Sequence, residues 1–130
     1  MRVILFRGKD FSGVINHSWC FGSLDTTEKD RAVIIYIDRF GNKCRVFVNP
    51  DTVGQYTGLT DKNGVKIFEG DIVHFKTTAY HFKNCRIKYQ SCYARYCAID
   101  NKGYEYPMDI AFEYEIIGNI YDNPELLEEV

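Results

Sequence analysis

No apolar run in this 130-residue chain approaches the ~20 residues that a membrane-spanning helix requires, and the opening MRVILFRGKD holds too short an apolar stretch for a secretory h-region. The expectation is a soluble, intracellular protein with no membrane among its partners. Excess positive charge is missing too. Sixteen Lys and Arg against eighteen Asp and Glu leave a formal net charge of -2, so no global field draws the chain to nucleic acid or to anionic lipid, and only a local basic face remains open. Catalytic signatures are absent: there is no G-x-S-x-G, no P-loop and no G-x-G-x-x-G, and no cysteine stands in a context that marks an activated nucleophile. Neither an internal repeat nor a low-complexity tract occurs. The five cysteines, Cys20, Cys44, Cys85, Cys92 and Cys97, form an odd, irregularly spaced set, unlike the even set of a secreted disulfide framework. Reduced thiols are expected, most of them acting as small core residues.

Aromatic residues are plentiful. Ten Tyr, nine Phe and one Trp make up 15% of the chain, and such side chains fit half-buried pleated surfaces better than helix interiors. With 45% hydrophobic residues the chain can bury one core, so a single domain is expected over residues 1–130, with lobes at 1–50 and 51–130. The expected class is α+β, mainly β: an N-terminal β-hairpin lobe, then an SH3-like or partly open β-barrel over Tyr56 to Ile120, then a short C-terminal helix.

Local signals place the elements. Arg2 to Phe6 reads as a strand and Arg7-Gly8-Lys9-Asp10 as a turn, followed by a strand over Ser18 to Leu24 and a polar loop over Asp25 to Asp30. Arg31 to Asp38 is nearly continuous in apolar residues, which predicts burial on both faces. Arg39-Phe40-Gly41-Asn42 reverses it into the alternating KCRVFV of Lys43 to Val48, a β-hairpin. Pro50 breaks that strand and marks a boundary between lobes. Asp61-Lys62-Asn63-Gly64 is a tight turn, and Glu69-Gly70-Asp71 leads into Ile72 to Phe75 with Val73 and Phe75 on one side. Further strands are expected at Val65 to Phe68, Cys85 to Tyr89, Tyr93 to Ile99 and Ile110 to Ile120, with a turn at Asp100 to Gly103. At the end, Asp122 or Asn123 caps a helix that Pro124 and Glu125 open, running to Glu129 and docking through Leu126 and Leu127.

The segments TVGQYTGLTDKNGVKIFEGDIV at Thr52 to Val73 and YEIIGNIYDNPELL at Tyr114 to Leu127 closely resemble the YopX family of phage and prophage proteins. FRGK at Phe6 to Lys9 and WCFGSL at Trp19 to Leu24 look like the family's opening blocks. The resemblance implies a mainly β fold with some helix, encoded by a phage or prophage and found in the cytoplasm of the bacterial host. It carries over no activity. Within these blocks Gly54, Gly58, Gly64, Gly70 and Gly118 sit where reversals or close backbone approaches need them, while Tyr56 and Asp71 complete the structural motif.

Four functional classes compete. A metal site would draw on His74, His81, Cys85, Cys92 and Cys97, but only His81-x3-Cys85 and Cys92-x4-Cys97 approach knuckle spacing, and a strand puts Cys92 and Cys97 on opposite faces. No metal and no cofactor are expected. Catalysis has least support, since Glu69 with Asp71 and Glu113 with Glu115 read as polar positions alternating with core residues. Nucleic-acid binding draws on Lys76, Lys83, Arg86, Lys88 and Arg95 interleaved with Tyr80, Phe82, Tyr89 and Tyr93, a mixture suited to phosphate contact and base stacking. A β-protein rich in aromatics also produces such alternation with no ligand at all. Protein interaction leads: a non-catalytic accessory protein, an adaptor or self-assembling unit, that binds a protein or further copies of itself, with single-stranded or structured nucleic acid as the alternative partner.

Overall fold

The computed structural model describes residues 2–11, 13, 18–78 and 81–128. Its internal contacts divide the chain into two compact units, Met1–Tyr56 and Thr57–Val130. Among the described residues eleven strands form two antiparallel sheets; there is no closed barrel, and the helical content is limited to two 3-10 turns.

In the first unit, β1 (Phe6–Lys9), β2 (Trp19–Asp25), β3 (Ala32–Ile37), β4 (Lys43–Val48) and the start of β5 (Gly54–Thr60) lie in the order β4-β3-β2-β1-β5. The hairpin of β3 and β4 forms as expected, with Ile35 facing Arg45 and Val33 facing Phe47. Its reversal is held by the Asp38 carboxylate, which accepts the backbone N–H of Phe40 at 2.9 Å and of Asn42 at 2.8 Å. The turn expected at Arg7 to Asp10 is instead strand β1, paired Arg7 with Phe21, Gly8 with Cys20 and Lys9 with Trp19. Gly8 is there for proximity and not for reversal: a Cβ on it would lie 2.7 Å from Val48 Cγ2. At this end β1 and β4 meet through an isolated bridge between Asp10 and Val48, and the Asn49 N–H donates to the Lys9 carbonyl at 2.9 Å. Cys20, Ala32, Ile34, Val46 and Val48 form the core on the inner face.

Two further expectations are corrected in this unit. Val3 and Ile4 are exposed, and the strand placed over Arg2 to Phe6 begins only at Phe6. Burial on both faces of β3 holds for Val33 and Ile34 but fails by Ile37, which is 65% exposed near the hairpin tip, where the inner core no longer reaches. Pro50 opens a 3-10 turn, Pro50–Thr52, in which the Asn49 side chain accepts the Asp51 N–H at 3.0 Å.

In the second unit, β6 (Lys66–Phe68) follows the end of β5, and β7 (Asp71–Thr78), β8 (His81–Gln90), β9 (Arg95–Ile99), β10 (Glu105–Pro107) and β11 (Glu115–Asn119) form an open sheet in the order β10-β9-β8-β7-β11. Val73 and Phe75 do share a face, where they join Ile67, Cys85, Ile87, Ala98 and Tyr114 in the core. Phe75 packs edge-on against Phe112 at 5.5 Å and Tyr106 at 5.9 Å. Gly64 and Gly70 have φ of 81° and 95°, the left-handed angles their turns require. The Asp71 carboxylate closes the second of these turns by accepting the Phe68 N–H at 2.7 Å.

The strand expected over Ile110 to Ile120 contracts to β11, because Asp109 draws its own turn: its carboxylate accepts the Ala111 N–H at 2.8 Å, and Ile110 is 87% exposed. The C-terminal helix is a single 3-10 turn, Pro124–Leu127, to which the Asn123 side chain contributes no cap. Glu129 lies outside the described residues. The turn still docks as anticipated for Leu126: a Cβ on Gly118 would fall 2.6 Å from Asn123 Oδ1 and 2.9 Å from Leu126 Cδ1.

Candidate binding surfaces

Strand alternation decides which side chains of the Lys76 to Arg95 stretch act together. Residues paired across an antiparallel ladder share a face, and β7, β8 and β9 pair Lys76 with Phe82, Lys88 with Cys97 and Gln90 with Arg95, whereas Phe75 pairs with Lys83 and Tyr89 with Tyr96. Lys76, Arg86, Lys88 and Arg95 therefore project from one face, and Lys83 and Tyr89 from the face that holds the core. Lys83 Nζ lies 3.8 Å from Asp100 Oδ2, an oxygen that accepts no hydrogen bond although the Asp100 side chain is wholly buried. Tyr89 packs edge-on against Tyr96, and the Arg95 guanidinium covers the Tyr93 ring at 4.8 Å in the hairpin turn. Tyr80 lies outside the described residues. The stretch keeps one aromatic with its cations: Phe82, 58% exposed, shares the face of Lys76, Arg86, Lys88 and Arg95, with Lys76 Nζ 5.7 Å from its ring, while Lys83 and Tyr89 are turned away.

The first face also carries a cleft of about 400 Å³ lined by Lys62, His74, Phe82, Phe112, Glu113 and Glu115 among others. His74 stacks on Phe82 at 5.1 Å with the rings 2° from parallel. Its Nδ1 lies 2.7 Å from Asn84 Oδ1, and Asn84 Nδ2 donates to the Leu126 carbonyl at 3.1 Å. Because the amide nitrogen is already directed at a carbonyl, Asn84 turns its oxygen to the ring and the histidine Nδ1–H is the donor. Lys62 pairs with Glu115 at 2.8 Å, and this hydrogen bond raises the lysine above its ordinary pKa. Lys76, also in its lining, lies with Nζ 5.7 Å from the Phe82 centroid.

Sequence reasoning missed a surface in the first unit. Ladder partners place Cys20, Ile34, Val46 and Val48 inward, so the odd-numbered positions of β1 to β4 point outward. That outer face carries Trp19, Phe21 and Phe47, the last two 48% and 39% exposed. Cations cover the aromatic rings: the Arg7 guanidinium lies 4.3 Å and Lys9 Nζ 5.7 Å from the Trp19 centroid, and the Arg31 guanidinium lies 5.3 Å from that of Phe47. Lys43 and Arg45 complete the row beside Ile37 and Ile35. Asp25 stands on this face 3.5 Å from Arg45, its pKa lowered chiefly by the backbone N–H of Thr27, which it accepts at 2.9 Å, and at the edge of the face Glu28 lies 3.8 Å from Arg31, with Asp30 beside it. A recess of about 580 Å³ opens beside this face, walled by Phe11, Asp30, Arg31 and Phe47 over Ala32 and Val48. The charge of the chain is split the same way: residues 1–56 hold eight Lys and Arg against six Asp and Glu, and residues 57–130 hold eight against twelve. The available signal was the alternation in KCRVFV together with WCF, whose outward members are basic and aromatic.

Among the described residues no group of three or more His, Cys, Asp or Glu comes together that could hold a metal ion. Cys20, Cys85 and Cys97 are buried, Cys44 is half-buried and Cys92 is exposed in the turn between β8 and β9, all as free thiols. Burial, and after it the charge of Asp10, pushes the Cys20 thiol up. No helix among the described residues is long and apolar enough to cross a membrane.

Comparison with known proteins gives a consistent placement. The family model described as YopX protein matches residues 6–128. No curated protein matches the chain. Among solved structures, the crystal structure of protein EF1440 from Enterococcus faecalis is similar, with a TM-score of 0.54 and 25% identity over 98% of this chain and 100% of that one.

Proposed function

The chain belongs to the YopX protein family, and from that premise we propose that it is a non-catalytic accessory protein of a phage or prophage, working in the host cytoplasm by binding a macromolecule on the outer face of β1 to β4. The observation that carries this reading is that Phe21 and Phe47 stand 48% and 39% exposed on one sheet face among outward cations. Large exposed aromatics beside arginine are the chemistry of interface hot spots, and a sheet built only to fold would put polar residues there. The conspicuous motif glycines support the same reading, since Gly8 and Gly118 serve close packing and Gly64 and Gly70 serve turns.

A photoreactive phenylalanine analogue in place of Phe21, in cells that express the protein during phage growth, tests this. Adducts are expected at position 21 and not at the control position Tyr104, which is 67% exposed in the second unit. Equal yields at both positions, or none at 21, would count against the surface.

A further inference from the structure

We propose that the partner on this face is single-stranded nucleic acid, laid across β2, β3 and β4 with one base in the recess beside Phe47. The inference rests on the binding reading above and names its partner class. Charge complementarity is the first argument. Within a chain of net charge -2, this face and its recess present Lys9, Arg31, Lys43 and Arg45 to solvent, with Arg7 buried beside the Trp19 ring, against Asp25, Glu28 and Asp30. A polyanion is the partner such a segregation fits, because the residual charge elsewhere repels it and so sets its position. Two exposed ion pairs do not cancel the outer arginines: Arg45 with Asp25 and Arg31 with Glu28 are 3.5 and 3.8 Å long, with arginine side chains 53% and 62% exposed, and exposed pairs of that kind are worth little. A phosphate can displace them.

The aromatic groups supply the second argument, because stacking platforms on a sheet are how sequence-tolerant single-strand binding is built. Phe21 and Phe47 stand on non-adjacent strands and hold two separate bases, while a duplex would offer them only its sugar-phosphate edge. The recess gives the third. Its lining includes the apolar Ala32, Val48 and Pro50 and the acidic Asp30, and the Arg31 guanidinium lies 5.3 Å from the Phe47 centroid, so a base entering it meets an aromatic ring and a cation able to reach its phosphate. Duplex bases stay stacked and cannot enter without unpairing.

The test is fluorescence anisotropy with a labelled oligo-dT of about twelve nucleotides, a length within the usual single-strand site range. Binding is expected to weaken as salt rises, with a logarithmic slope of about −0.7 for each phosphate contact. Phe21→Ala and Phe47→Ala should each weaken binding about tenfold. The pair Arg31→Gln with Arg45→Gln, both at exposed side chains and so harmless to folding, should flatten the slope by about 1.4. A duplex of the same length should bind at least about tenfold more weakly, because it presents no unstacked bases. If the oligonucleotide does not bind at ~50 mM salt while the position-21 crosslink yields a protein adduct, the nucleic-acid inference is overturned and the binding reading stands. If binding survives both phenylalanine changes with its slope intact, this face is not the site. If neither oligonucleotide nor crosslink gives a signal, both readings fall.

Discussion

Asp61 and Ile116 are joined across the second unit by a hydrogen bond between the carboxylate of one and the backbone N–H of the other, at 3.3 Å. The same carboxylate accepts the N–H groups of Asn63 and Val65, each at 2.9 Å, so it closes the tight turn after β5 and ties it to β11. Burial acts to raise the Asp61 carboxyl, but its bonds from Val65, Ile116 and Asn63 outweigh this and hold it below its ordinary value of 3.8. Asp61→Ala leaves three partly buried N–H groups without this acceptor, and a loss of about 1–2 kcal/mol in unfolding free energy is expected. Urea denaturation followed by tryptophan fluorescence measures it, and an unchanged midpoint would contradict the role.

The pH dependence follows from the same carboxylate. Its folded value is depressed, so its contribution is complete above the unfolded value near 3.8 and is lost as pH falls through the folded value. Thermal unfolding of the wild type should lose stability steeply below about pH 4, and Asp61→Asn should show a shallower loss over that window. Parallel curves for the two proteins would remove Asp61 from the account.

Lys83 is expected to contribute to folding and not to oligonucleotide binding. Replacing it with Met leaves the wholly buried carboxylate of Asp100 with two backbone bonds, from Lys102 and Tyr104, and no cation beside its other oxygen. A loss of about 2 kcal/mol is expected, with oligonucleotide affinity unchanged. Weaker binding at constant stability would restore Lys83 to the interface.

Gly22 marks how tightly β2 and β3 approach. A Cβ there would lie 2.1 Å from the Ile35 carbonyl oxygen, a backbone atom that cannot turn aside, so Gly22→Ala should cost at least about 1–3 kcal/mol by calorimetry. A neutral substitution would mean the two strands can separate at no cost.

Thiol exposure orders reactivity. Under native conditions Cys92 should be alkylated first and Cys44 more slowly, with Cys20, Cys85 and Cys97 reacting only on unfolding, as intact-mass spectra would record. Early loss of Cys85 or Cys97 would contradict the packed core of the second unit.

Turns and hairpins were legible in the sequence because their determinants are local. The Asp61 to Gly64 and Asp100 to Gly103 reversals form where aspartate carboxylates can reach N–H groups two and four residues on. What escaped was non-local. Gly8 looked like a turn residue because nothing within the chain nearby announces Val48, its neighbour in space. The grouping within the candidate stretch was non-local too: β7, β8 and β9 keep Lys76, Arg86, Lys88 and Arg95 on one face and turn Lys83 and Tyr89 to the other, and a phase of two along one strand does not tell which face a partner sheet will cover. In β4 the phase was equally plain, and only the packing of Val46 and Val48 against Cys20 turned Arg45 and Phe47 outward.

The central claim is best tested by titrating isotope-labelled protein with oligo-dT and following backbone amide shifts. The account predicts perturbations concentrated at Trp19, Phe21, Arg31, Arg45 and Phe47, with the Lys76 to Arg95 stretch unmoved. Shifts concentrated in Lys76, Arg86, Lys88 and Arg95, with β2 and β4 silent, would contradict it.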